Sequence, residues 1–240
     1  MVESAMVMHE LERGDSAARQ KIAVVEASLL GLLDRILPEV EAGRVSSLVV
    51  DDTSGRAIGL FLHRALDRLG HPLPISFVCP PGPGPDGKRA VAHVAPAQVA
   101  VLGEYPLIVT EVIHSGEAVG SIVRAVNATG RIPAIASLSG FLVPRDPNEP
   151  WSTLVPSPAG RTPPGTYSTV FMPAQLSFDA QDLLCSDKVT AGVLREDVGS
   201  PRVLSAARMC PTPEVRRAVR AFREELYALA AHAANINSPG

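Results

Sequence analysis

The chain has 240 residues, a formal charge of −3 and 46% hydrophobic residues. That length builds one α/β domain with additions, or two small domains, and the near-neutral charge argues against a general nucleic-acid surface. No apolar run approaches the ~20 residues that span a bilayer, so no membrane partner is expected.

Residues 1–15 carry charges of both signs and no signal-peptide core. Three widely spaced cysteines, Cys79, Cys185 and Cys210, form neither a CxxC pair nor a disulfide framework. Both features suit a reduced, cytoplasmic setting.

The first predicted element is a helix over Ala17–Ala42, capped by Ser16. Ile22, Val25, Leu29, Leu32, Leu33, Ile36 and Val40 form its single apolar stripe. Pro38 is expected to kink or divide it near its end. Such a stripe fits core packing, or the face of a homodimer.

Ser46–Val50 reads as a short strand, followed by the small-residue loop Asp51-Asp52-Thr53-Ser54-Gly55-Arg56. Ala57–Leu69 returns to helical spacing and ends at Gly70, and Pro74–Val78 is the next strand. This is a β-α-β unit. Cys79–Ala97 is rich in Pro and Gly, with Lys88 and Arg89 inside it, and cannot be regular structure. Val99–Leu102 reads as a possible sheet extension.

Leu107-Ile108-Val109 suits a strand buried on both faces. It turns polar at Thr110-Glu111 and passes through a loop containing His114, Ser115 and Gly116 into a helix over Glu117–Ala128. An acidic side chain therefore stands at a strand's carboxyl end, beside a helix N-terminus whose N–H groups and dipole suit an anion. Thr129-Gly130 ends this helix, and Ile132–Leu138 is a further strand. The α/β core is expected over residues 45–140, with a parallel sheet and Rossmann-like β-α-β units.

From Gly140 to Pro173 prolines recur, and Trp151 is the lone tryptophan. Tyr167–Phe171 reads as a strand or edge hairpin, and Ser177–Leu184 as a short helix. The tail over Pro211–Ala234 reads as a helix capped by Thr212, with Val215, Ala218, Val219, Phe222, Leu226 and Leu229 as its stripe. Its arginines, Arg216, Arg217, Arg220 and Arg223, form a solvated basic face.

The stretch Leu107–Ala118 resembles the phosphoribosyl-pyrophosphate (PRPP) motif of type I phosphoribosyltransferases. In that family an apolar strand ends in two acids, followed by a loop of the form Val-x-x-Thr-Gly-x-Thr and a helix. Here Thr110-Glu111 take the acidic pair, Ser115 the first Thr, Gly116 the Gly and Ala118 the last Thr. The resemblance implies that Glu111 holds the ribose hydroxyls and Mg²⁺, with Thr110 beside it. It implies that Ser115, Gly116, Glu117 and Ala118 cradle the 5′-phosphate, with His114 near the phosphate or leaving group. The sequence departs from the pattern at Thr110, at Ala118 and at Glu117, whose charge opposes a phosphate.

By the same resemblance, Asp52, Thr53, Ser54 and Gly55 belong to the first loop, and Arg56 contacts pyrophosphate through a bidentate guanidinium. A salt bridge from Arg56 to Asp51 or Asp52 is the simpler alternative. Residues 79–97 take the place of the family's closing loop, where Lys88 and Arg89 would reach the pyrophosphate. Residues 141–210 take the place of its hood. There Tyr167, Phe171 or Phe178 would stack on an acceptor ring and Gln175 would read its edge, unless these aromatics are core.

The activity implied is transfer of phosphoribose from PRPP to a nitrogenous acceptor with release of pyrophosphate, within nucleotide metabolism. Two alternatives stand beside it: a non-catalytic PRPP or nucleotide sensor or scaffold, and an enzyme of this fold acting on another phosphosugar. Other chemistries lack their motifs, since the chain has no HExxH, GxSxG or GxxxxGK[ST].

Overall fold

The computed structural model describes residues 2–52, 54–80, 91–113, 116–140, 165–173 and 213–238. In chain order the elements are α1 (Val2–Glu41), β1 (Ser47–Asp51), α2 (Arg56–Arg68), β2 (Ile75–Val78) and α3 (Pro96–Val101). Then follow β3 (Pro106–Ile113), α4 (Glu117–Asn127), β4 (Ala134–Gly140), β5 (Val170–Phe171) and α5 (Pro213–Asn237).

Among the described residues, five strands form one all-parallel sheet in the order β2-β1-β3-β4-β5. β1 lies between β2 and β3 and is buried along its whole length, so it reads as an unbroken apolar run, Leu48-Val49-Val50. At the edge, β2 alternates buried and half-buried residues.

Each face of the sheet carries its own core. Leu48, Val50, Leu107, Val109 and Ala136 pack against α1, α2 and α5. Val49, Ile108 and Ile135 pack against α4 through Val119, Ile122, Val123 and Val126. α2 and α4 lie on opposite faces because β1→β2 and β3→β4 run toward opposite edges, and right-handed crossovers then place their helices on opposite sides. The strand order therefore reverses between β1 and β3, and it is a doubly wound order.

Several boundaries differ from the sequence reading. α1 starts at Val2, with Ser16 inside the helix, because Gly14 and Asp15 cost only about 1 kcal/mol each and the flanking residues favour helix. Pro38 does not divide α1. It sits three residues from the end, and the helix closes with Gly43 N–H on Val40 O and Arg44 N–H on Glu39 O.

Residues 99–102 are not a strand: Val99 to Val101 belong to α3 and Leu102 is its C-cap. Pro96 starts that helix and Gln98 holds it, since Gln98 Oε1 accepts from Ala95 N–H at 2.7 Å and Gln98 Nε2 donates to Phe77 O at 2.6 Å. β3 continues past Thr110-Glu111 to Ile113, so the acidic position lies within the strand and not at its last residue.

The C-terminal helix runs on to Asn237 and joins the sheet core through Phe222, Leu226, Leu229, Ala230 and Ala233. The stripe positions Val215, Ala218 and Val219, the cap Thr212 and the segment 177–184 lie outside the described side chains. Arg19 Nε meets Glu225 Oε1 at 2.8 Å, a surface pair between α1 and α5 that contributes little.

Candidate functional site

The β1–α2 turn meets β3 at the reversal point, at the carboxyl ends of β1 and β3, the place where open α/β sheets bind ligands. The parallel register aligns Val50 with Val109. Asp51 and Thr110 therefore stand side by side as the next residues of β1 and β3.

Their side chains share one network. Ser54 Oγ donates to Asp51 Oδ2 at 2.8 Å, and Thr110 Oγ1 donates to the same oxygen at 3.2 Å. The Ser54 and Thr110 hydroxyls are 3.0 Å apart. The turn itself is closed by Gly55 N–H on Asp51 O at 2.7 Å. Gly55 has an ordinary right-handed φ of −83°, so backbone freedom is not what selects glycine. Close approach is: a Cβ there would lie 2.2 Å from Val109 O.

Asp52 and Arg56 form a second unit. The two side chains are ion-paired, and each is at most 2% exposed. The guanidinium carbon lies 4.2 Å from the centre of the Phe77 ring, a cation–π contact between α2 and β2. Asp52 Oδ2 is buried with no hydrogen-bond partner among the described residues. Burial pushes the Asp52 carboxyl above the ordinary aspartate range; Asp51 adds to that shift, while Arg56 opposes it. Arg56 is thus held by Asp52, the simpler of the two roles read for it.

On β3, Glu111 is 1% exposed, and its main-chain oxygen accepts from Ser137 Oγ at 3.0 Å. Strand alternation puts Glu111 on the side of α1, α2 and α5, with Val109, and Thr110 on the α4 side, with Ile108. Gly116 caps α4 in the left-handed conformation, φ 75°, a turn that favours glycine. Glu117 opens the first turn of α4, where a carboxylate complements the positive end of the helix dipole. Glu117 and Ala118 are half-buried.

Of the residues read from sequence, the structure brings Ser54, Gly55 and Thr110 together, pairs Asp52 with Arg56, and sets Glu111 beside Thr110 on β3 but on the other face of the sheet; Gly116, Glu117 and Ala118 follow at the start of α4. Thr53, Lys88, Arg89, His114 and Ser115 lie outside the described residues, as do Trp151, Gln175 and Phe178. Two expected acceptor-stacking aromatics serve packing: Phe171 lies against the α1/α2/α5 core and Tyr167 against the α4 core. Asp51 is a member of this network that the local sequence does not single out. Its signal is positional: only the β1–β3 register shows that Asp51, and not Asp52, adjoins Thr110.

No helix among the described residues is long and apolar enough to cross a membrane. No family model, curated protein or solved structure matches the chain.

Proposed function

We propose that the chain is a phosphoribosyltransferase-like protein whose β1–β3 reversal point takes PRPP or a closely related phosphosugar. The observation that carries this reading is the contact between its two motif segments. Ser54 of the first loop and Thr110 of the acidic strand, 56 residues apart, meet at 3.0 Å. A first-loop turn and a strand–loop–helix phosphate cradle side by side supply what such a ligand needs: hydroxyl acceptors, backbone N–H donors and a helix N-terminus.

The residues divide the work by chemistry. Glu111 accepts hydrogen bonds from ribose hydroxyls. The N-terminus of α4, entered through Gly116, binds the 5′-phosphate. The Asp51–Arg56 turn borders the pyrophosphate. The donors fit a cation that arrives with its substrate and not an all-protein cage: among the described residues no three His, Cys, Asp or Glu cluster. Mg²⁺ ordinarily keeps waters and takes one or two carboxylates plus phosphate oxygens, and Glu111 is the residue that would hold it here. Bound there, it would neutralise the pyrophosphate leaving group. Positioning and charge stabilisation account for catalysis, since displacement at the anomeric carbon needs no covalent enzyme group.

A second reading, a changed phosphosugar or binding without turnover, is favoured by two engaged side chains. Arg56 is committed to Asp52 and Phe77, and Thr110 to Asp51.

Calorimetric titration of PRPP with and without Mg²⁺ tests the reading, followed by pyrophosphate release with nitrogenous acceptors. Mg²⁺-dependent binding with release supports the transferase. Binding without release selects the sensor. Absence of binding overturns the phosphoribosyl assignment, and a thermal-shift screen of other phosphosugars then identifies the ligand class.

A further inference from the structure

The acid missing at position 110 has a counterpart on the neighbouring strand. Successive strand residues alternate faces, so a carboxylate at 110, paired with Glu111, would stand on the α4 side of the sheet. Asp51 already stands there. Val49 and Ile108, two residues before Asp51 and Thr110, both belong to the α4-side core. The Asp51 side chain is 1% exposed, and its Oδ2 receives Ser54 Oγ at 2.8 Å and Thr110 Oγ1 at 3.2 Å.

We propose that Asp51 of β1 supplies the second carboxylate of the acidic pair, with Glu111 of β3, and that Thr110 is its positioning residue. The pair then spans two strands instead of two consecutive residues. The ligand chemistry it takes is the vicinal diol of a phosphorylated pentose with its divalent cation, so the inference rests on the phosphoribosyl reading.

The chemistry favours this division. A carboxylate accepts charge-assisted bonds from sugar hydroxyls, which are roughly twice as strong as neutral ones. A threonine at 110 cannot supply that charge. It can donate one hydrogen bond, and here that bond orients Asp51. Ser54 adds a second donor to the same oxygen, so the carboxylate is oriented before any ligand arrives.

The test is calorimetric titration of PRPP with Mg²⁺ into the full chain and into Asp51→Asn, Thr110→Val, Thr110→Ser and the exchange variant Asp51→Asn/Thr110→Asp. Asp51→Asn is expected to weaken binding about 10- to 100-fold. Thr110→Val weakens it several-fold, whereas Thr110→Ser, which keeps the hydroxyl, retains it. The exchange variant regains at least about tenfold over Asp51→Asn, because it returns the charge to the same side of the sheet. Binding by Asp51→Asn equal to that of the unmodified chain overturns the inference alone. So does an exchange variant as weak as Asp51→Asn, which would leave Asp51 a packing role. If Asp51→Asn fails to fold, the Thr110→Val and Thr110→Ser pair decides: equal affinities overturn the inference. No PRPP binding by the unmodified chain overturns the phosphoribosyl reading and this inference with it.

Discussion

Arg56 and Asp52, four residues apart across the β1–α2 turn, form an ion pair that is almost entirely removed from solvent, with the guanidinium lying over Phe77. Removing one partner of such a pair leaves an uncompensated buried charge, which costs about 3–5 kcal/mol. Replacing both with apolar residues avoids that penalty. Arg56→Met is therefore expected to lose about 3–5 kcal/mol of unfolding free energy in urea, and Arg56→Met/Asp52→Leu much less. A single variant within about 1 kcal/mol of the parent would show that the guanidinium does not compensate Asp52.

The same pair sets a pH dependence. Burial, reinforced by Asp51 and opposed by Arg56, raises the Asp52 carboxyl in the folded state. A folded-state pKa above the unfolded value of about 3.9 means that the native chain binds the proton more tightly. This group's stabilising contribution is then fully present below about pH 3.9 and is lost as pH rises through the raised folded value. Relative to Asp52→Asn, which cannot titrate, the parent should gain stability as pH falls from neutrality into that window. Paired urea titrations measure the difference. A parent that loses stability relative to Asp52→Asn on acidification would mean that the attraction of Arg56 outweighs burial.

The close approach of the β1–α2 turn to β3 gives a third prediction. Ala at position 55 would place its Cβ 2.2 Å from the Val109 carbonyl oxygen, a backbone atom that cannot swing aside. Replacing Gly with Ala reduces unfolded-chain entropy, worth about 0.4–1 kcal/mol, but Gly55 is the N-cap of α2, where alanine is disfavoured, and overpacking costs about 1–3 kcal/mol or more. The clash should win. Gly55→Ala is expected to lower the melting temperature and to weaken ligand binding, because Ser54 moves with the turn. Unchanged values in both would show that the turn can retreat from β3 without cost.

Much of this arrangement is legible from the chain alone. Leu107-Ile108-Val109 and Leu48-Val49-Val50 are unbroken apolar runs because each strand is covered on both faces. The stripes of α2 and α4 follow from 3.6-residue spacing. Two things are not legible. Val99–Leu102 looks like strand by composition, yet Pro96 and the Gln98 bonds to Ala95 and Phe77 make most of it helix. The choice between Asp51 and Asp52 depends on strand phase and on β1 lying beside β3, and no local pattern carries that information. Local sequence therefore points to Asp52 as the ligand-site residue, whereas Asp52 is the partner of Arg56 and Asp51 is the one beside Thr110.

Glu117 yields a prediction with opposite signs in two measurements. It occupies the first turn of α4, where a carboxylate stabilises the helix by about 0.3–1 kcal/mol through the dipole. The same charge competes with any phosphate at that terminus. At a separation of about 5 Å and the dielectric of water, one unit of like charge costs roughly 1 kcal/mol, or about fivefold in affinity. Glu117→Gln is therefore expected to lose up to about 1 kcal/mol of stability while tightening phosphosugar binding several-fold. Raising the salt concentration should narrow the affinity gap between the two proteins, because Glu117 is only half-buried and salt screens a repulsion that reaches solvent. A variant that is less stable and also binds no more tightly would place the phosphate away from the α4 N-terminus and break the link between the strand–loop–helix motif and anion binding.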